Sequence, residues 1–168
     1  MRTYLLVSVL LLLPISNGAI AADKPALPTE WHGVWTGELV IHGAGEKVTK
    51  VPLTLTIKPM DAGGLSWKAE YGGNRPVIKD YKLLPGDKAG RFKIDEGGGL
   101  VLDARLDGGV LLSSFAVGET VLTARYELSG KVLRFEVTSS RKTNDKLPGG
   151  VQGYEITAVQ RAELARSK

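Results

Sequence analysis

Apolar side chains in this chain recur at every second position, in short runs that end at glycines. Trp35, Gly37, Leu39 and Ile41 fall on one side of an extended segment, with Thr36, Glu38 and His42 on the other. Val51, Leu53, Leu55 and Ile57 alternate with Pro52, Thr54, Thr56 and Lys58. Leu65, Trp67, Ala69 and Tyr71 alternate in the same way with Ser66, Lys68 and Glu70. Period two is the pattern of a half-buried strand, whereas a helix face repeats every ~3.6 residues. Further strands are predicted over 77–84, 91–95, 100–106, 110–117, 120–128, 131–139 and 151–162. Only 159–166 has a spacing that also suits a short helical turn.

The segments between them are turns by composition. Of the 21 glycines, many sit in Pro85-Gly86-Asp87, Gly97-Gly98-Gly99, Asp107-Gly108-Gly109, Gly118-Glu119 and Ser129-Gly130, where residues tolerant of positive φ permit tight hairpins. Ten short strands in series make an antiparallel meander. Laid flat, it would leave two unpaired edges and one apolar face in water; closing into a barrel removes both faults. The expected fold is therefore all-β: an up-and-down barrel of about ten strands, with a two-sheet sandwich as the alternative that fits the same pattern. A barrel of eight to ten strands is about wide enough inside for side chains plus one small ligand.

The first residues belong to a different argument. Met1-Arg2 is a basic start, residues 4–15 are almost wholly apolar, and Ala19-Ile20-Ala21 offers small residues where signal peptidase reads them. That predicts a secretory signal peptide over 1–21, cleaved after Ala21, and one barrel domain over 22–168. The apolar run of about 12 residues is too short for a spanning helix, which needs roughly 20. The chain is thus expected to be exported, periplasmic or extracellular, with no transmembrane segment once the signal is removed. Charge pairs such as Asp103/Arg105 and Arg134/Glu136, opposite the apolar faces, argue against a barrel that faces lipid.

Several chemistries have no residues to carry them. The chain contains no cysteine, so disulfides, thiolate-bound metal and a thiol nucleophile are excluded. His32 and His42 stand about 33 Å apart along one extended strand, too far to share an ion. Ser113 and Ser114 lack the nucleophile-elbow sequence of a hydrolase. No catalytic residue, metal or cofactor is expected. The net charge of +4 is scattered in pairs such as Lys47 and Lys50, or Arg141 and Lys142, which leaves no footprint for nucleic acid.

The aromatics are the candidate site. Trp35, Trp67, Tyr71, Tyr126 and Phe135 fall on the apolar faces, and Phe92 and Tyr154 are assigned there with them. In a closed barrel they converge, either to fill the core or to line a pocket whose polar points are the tyrosine hydroxyls. Arg125/Glu127, Arg134/Glu136 and Asp103/Arg105 each point to one side of a strand. They are either ion pairs on the wet face or a polar cluster for a ligand carboxylate.

One short motif adds a resemblance. Gly33-Val34-Trp35, flanked by Trp31 and Gly37, gives Trp-x-Gly-x-Trp-x-Gly at the mouth of the first strand. This resembles the calycin group of barrels, in particular lipocalins and nitrobindin-like proteins. The resemblance implies that Trp35 closes the barrel floor against a basic residue from a late strand, with Arg125 and Arg134 as candidates. The departures are Asp80-Tyr81 as a bare echo of the second lipocalin motif and no histidine after His42, where a nitrobindin-like protein would bind haem. The resemblance supports the barrel architecture; the function expected of such a barrel is non-enzymatic binding of a small apolar or amphipathic ligand inside it. The alternative is an envelope or extracellular interaction or inhibitor module with a solid core, contacting its partner through 72–76 or 141–150.

Overall fold

The alternation of the sequence becomes the two sides of one sheet that closes on itself. The computed structural model describes residues 26–43, 45, 47–144 and 147–167; the expected signal peptide over 1–21, with its cut after Ala21, lies outside the described residues. A 3-10 turn, Thr29–Trp31, leads into β1 (Gly33–His42), and a second, Pro148–Gly150, precedes the last strand. There follow β2 (Val48–Pro59), β3 (Leu65–Tyr71), β4 (Val77–Pro85), β5 (Arg91–Asp95), β6 (Val101–Asp107) and β7 (Val110–Val117). The last three are β8 (Thr120–Ser129), β9 (Val132–Lys142) and β10 (Tyr154–Arg166).

Every strand pairs antiparallel with its sequence neighbour, and β1 pairs with β10, so the sheet is a closed barrel with no free edge. The expected up-and-down barrel of ten strands is the fold observed. Hairpin chemistry accounts for the tightness of the turns. Between β6 and β7, Gly108 and Gly109 have φ of 55° and 80°, a pair that suits a primed two-residue turn and that side chains with a Cβ rarely adopt.

Closure also places a demand on Gly37. It pairs with Leu164 across the β1–β10 seam, and a Cβ there would lie 2.4 Å from the Glu163 carbonyl oxygen. Only glycine lets the two strands approach where the sheet coils shut.

The expected helical turn over 159–166 is corrected: these residues continue β10. Gln160, Ala162 and Leu164 face inward, opposite Val137, Phe135 and Leu133, while Arg161 and Glu163 point out to Glu136 and Arg134. Pairing to β9 on one side and β1 on the other outweighs a weak helical preference. Outside, the barrel is polar: Lys50–Glu38 at 2.9 Å and Arg161–Glu136 at 2.6 Å are typical of its ion pairs. Among the described residues no helix is long and apolar enough to cross a membrane.

The two ends of the barrel differ. At the end where β1 begins and β10 finishes, Trp31, Trp35, Ile57, Leu133 and Leu164 are fully buried. At the other end the wall dips. β5 has five residues against thirteen in β10, and the β4–β5 ladder covers only Lys82–Pro85 of β4.

Candidate functional site

The floor is built from the Trp-x-Gly-x-Trp motif. The 3-10 turn folds Trp31 across the barrel end, and the Trp35 Nε1–H donates to the Trp31 carbonyl oxygen at 2.9 Å. Both indoles are about 1% exposed, so this bond satisfies the one polar atom that Trp35 buries. The Arg166 guanidinium lies over the Trp35 ring, 4.7 Å from its centroid, and donates to the Glu30 carbonyl. A late-strand arginine thus covers the floor tryptophan, as the resemblance implied, but it is Arg166.

Arg125 and Arg134, the residues expected in that role, are on the outer wall. Arg125 pairs with Glu127 at 2.8 Å and Arg134 with Glu163 at 3.1 Å. Their positions in β8 and β9 have the outward phase, so neither can reach the interior.

Above the floor an aromatic series runs up the barrel. Trp31 and Trp67 lie 6.3 Å apart between centroids, Trp67 meets Tyr126 edge-on at 5.0 Å, and Tyr126 stacks on Phe135 at 4.7 Å. Edge-on and offset arrangements are those that ring quadrupoles favour. Over this series opens a cavity of about 210 Å³. Trp67, Tyr71, Tyr126 and Phe135, four of the residues predicted from the sequence, stand on its wall. Leu83, Leu111 and Leu122 supply aliphatic surface between them.

The other three predicted residues lie elsewhere. Trp35 is below the cavity, in the floor. Phe92 is buried under the 3-10 turn, in a recess with Leu27, His32 and Leu65. Tyr154 is 52% exposed on the outside. A bulge causes this: the β9–β10 register shifts between Ile156 and Ala158, so one extra residue reverses the phase of everything before it. His32 and His42 sit at opposite ends of β1.

Sequence reasoning missed the polar part of the site. Tyr81, Glu96, Ser113 and Gln160 also line the cavity. Tyr81 is the cross-strand partner of Trp67, a relation that only the β3–β4 register reveals. Glu96 follows β5 in what reads as a polar turn, where the low wall brings it to the cavity mouth. The Ser113 hydroxyl donates to the Asp103 carbonyl at 2.7 Å.

Three tyrosines respond to this setting. Burial pushes the Tyr81 phenol up to about 12, with the nearby Glu96 carboxylate and Tyr71 adding to the effect. Tyr71 is raised by burial and then by Glu96. Tyr126, partly buried on the cavity wall, is raised furthest, chiefly by loss of water, with Trp67 offsetting part of the rise. All three stay neutral donors through the physiological range. The site is therefore an aromatic cup whose rim offers phenol donors, one amide and one carboxylate.

No family model matches the sequence, and no curated protein matches it. Solved structures do share the fold. The S-type phycobiliprotein lyase CPES from Guillardia theta superposes with a TM-score of 0.62 over 83% of this chain and 89% of its own, at 11% identity. A DUF3598-family protein of unknown function from Nostoc punctiforme gives 0.60 over 90% of this chain, at 17% identity, and this chain spans 53% of its length. The fluorescent protein UnaG, in a mutant form, gives 0.48 over 83% of this chain and 97% of its own, at 16% identity. At these identities the first two likenesses are of fold alone, that of a closed antiparallel β-barrel.

Proposed function

We propose that this chain is an exported binding protein that takes up a small apolar or amphipathic molecule in the barrel and does not transform it. The observation that carries the reading is the cavity: aromatic walls, a sealed floor and a mouth with a few polar groups. That is the usual composition of a small-molecule site. Its volume limits the guest. An apolar cavity of about 150 Å³ holds benzene, so 210 Å³ suits one or two rings, or a short chain that emerges at the mouth.

A neighbour named as a lyase has the same fold, so binding without turnover needs its own support. Here the one serine on the cavity wall directs its hydroxyl proton to a backbone carbonyl rather than to a base. The tyrosines are held neutral, far from the phenolate that would make them nucleophiles. Export rests on the N-terminal sequence, and chain recovered from the export compartment should begin at Ala22.

The test is titration with neutral one- and two-ring aromatics, read by Trp67 emission and by thermal unfolding. A guest at about a hundred times its Kd should stabilise the fold by about 2.7 kcal/mol. Trp67→Phe should remove most of the emission change. No thermal shift and no emission change across such a panel would end the proposal.

A further inference from the structure

We propose that the cavity selects a small aromatic amine in its cationic form and discriminates against carboxylates, an inference that rests on the binding role proposed above. Glu96 is the one charged residue on the cavity wall among the described residues. No arginine or lysine among those residues stands on that wall with it. Arg125, Arg134 and Arg161 pair with Glu127, Glu163 and Glu136 on the outer wall. Arg166 lies on Trp35 beneath the floor. Lys79 has the inward phase of β4, opposite Ala69, but it is exposed and off the cavity wall.

An anion entering this cup would shed water, meet no cation and approach a carboxylate. Each of those three effects opposes binding. An ammonium group meets the reverse. Glu96 supplies the counter-charge at the mouth, and Tyr71 and Tyr81 beside it add phenol oxygens that can accept. Deeper in, Trp67, Tyr126 and Phe135 line the wall with aromatic surface against which the ring of a guest can pack. Burial first, and then the negative field of Glu96, favour the neutral phenols of both mouth tyrosines. The ring of the guest belongs among the aromatics and its amine at the mouth, a placement that the single low section of wall allows.

The experiment compares three guests with one ring: phenethylamine, phenethyl alcohol and phenylacetate, each titrated into the full barrel at neutral pH. The amine should bind at least about tenfold more tightly than the alcohol, and the carboxylate more weakly than either. Glu96→Gln should bring the amine-to-alcohol ratio towards one. Gln160→Lys, which adds a cation at the mouth, should move preference towards phenylacetate. Near-ultraviolet circular dichroism of both variants checks that the barrel is intact. Phenylacetate binding as well as the amine, or an amine preference that survives Glu96→Gln, overturns the charge selection while leaving the binding role standing. Failure of all three guests to bind overturns both.

Discussion

The two ends of the barrel are made from the same ten strands and have opposite characters. At the floor, Trp31, Trp35, Leu133 and Leu164 are at most 1% exposed, and the polar atom of Trp35 has a partner. Around the mouth, Val48, Val77, Ile78, Leu100, Val101, Val117 and Ile156 stand 45% or more exposed. Burying one large apolar side chain is worth about 1.5–3 kcal/mol, so the floor holds a disproportionate share of the stability. The mouth contributes little and is free to carry binding groups. On the proposed binding role, stability and recognition are therefore separated along the barrel axis, and substitutions at the two ends should have separable effects.

The sharpest way to break that separation is Trp35→Ala. It empties the floor, leaves the Trp31 carbonyl without its donor and removes the platform under Arg166. The expected loss is about 3–5 kcal/mol, measured by denaturant unfolding. A loss below about 1 kcal/mol would mean that the floor is ornamental and that the aromatic series above it holds the barrel.

Gly37→Ala comes next. The added Cβ has to displace the Glu163 backbone, so the cost should be about 1–3 kcal/mol, as for overpacked sites. Because Gly37 is below the cavity, guest affinity measured well under the unfolding midpoint should hardly change. An equal fall in affinity and stability would show that the seam and the cup are one unit.

Alkali tests the mouth instead. Tyr71, Tyr81 and Tyr126 have folded-state values above the ordinary 10, so the fold favours their protonated forms. Their contribution is complete below pH 10 and is lost as pH rises through the folded values, about 12 for Tyr81. Stability at neutral pH is untouched; an alkaline decline should begin above about pH 10 and be shallower in Tyr81→Phe and Tyr126→Phe. A decline of unchanged steepness in both variants would place its origin outside the cup.

How much of this was legible in the sequence follows from period and register. Alternation fixes which side chains share a face, so Trp67, Tyr71, Tyr126 and Phe135 could be assigned inward from their own strands alone. Register and bulges are set between strands, and there local reading fails. Tyr154 keeps the right parity with Gln160 and Ala162, yet the bulge near Thr157 turns it outward. Arg166 was hidden because β10 runs on past Ala162 to the floor, beyond where the strand was expected to end. Arg125 and Arg134 could be set aside from their own strands, since Ala124, Tyr126, Leu133 and Phe135 beside them take the inward phase and leave the arginines outside. Glu96 carries no periodic signal, since it lies in a turn, and its role depends on how low the neighbouring wall is.

The smallest expected effect is the most direct check on the mouth. Ile78 and Val117 are 59% and 64% exposed and lie off the cavity wall. Replacing both by threonine keeps the β-branch that suits a strand and puts a hydroxyl in water in place of a methyl of Val117 and the ethyl arm of Ile78. The transfer term for atoms already in solvent is near zero, so each change should stay within about 0.5 kcal/mol in denaturant unfolding. The same double variant should bind a neutral aromatic guest as the parent does, because neither side chain touches the cup. A loss above about 1 kcal/mol would mean that the mouth is packed as the floor is, and that exposure there is a poor guide to what holds the barrel.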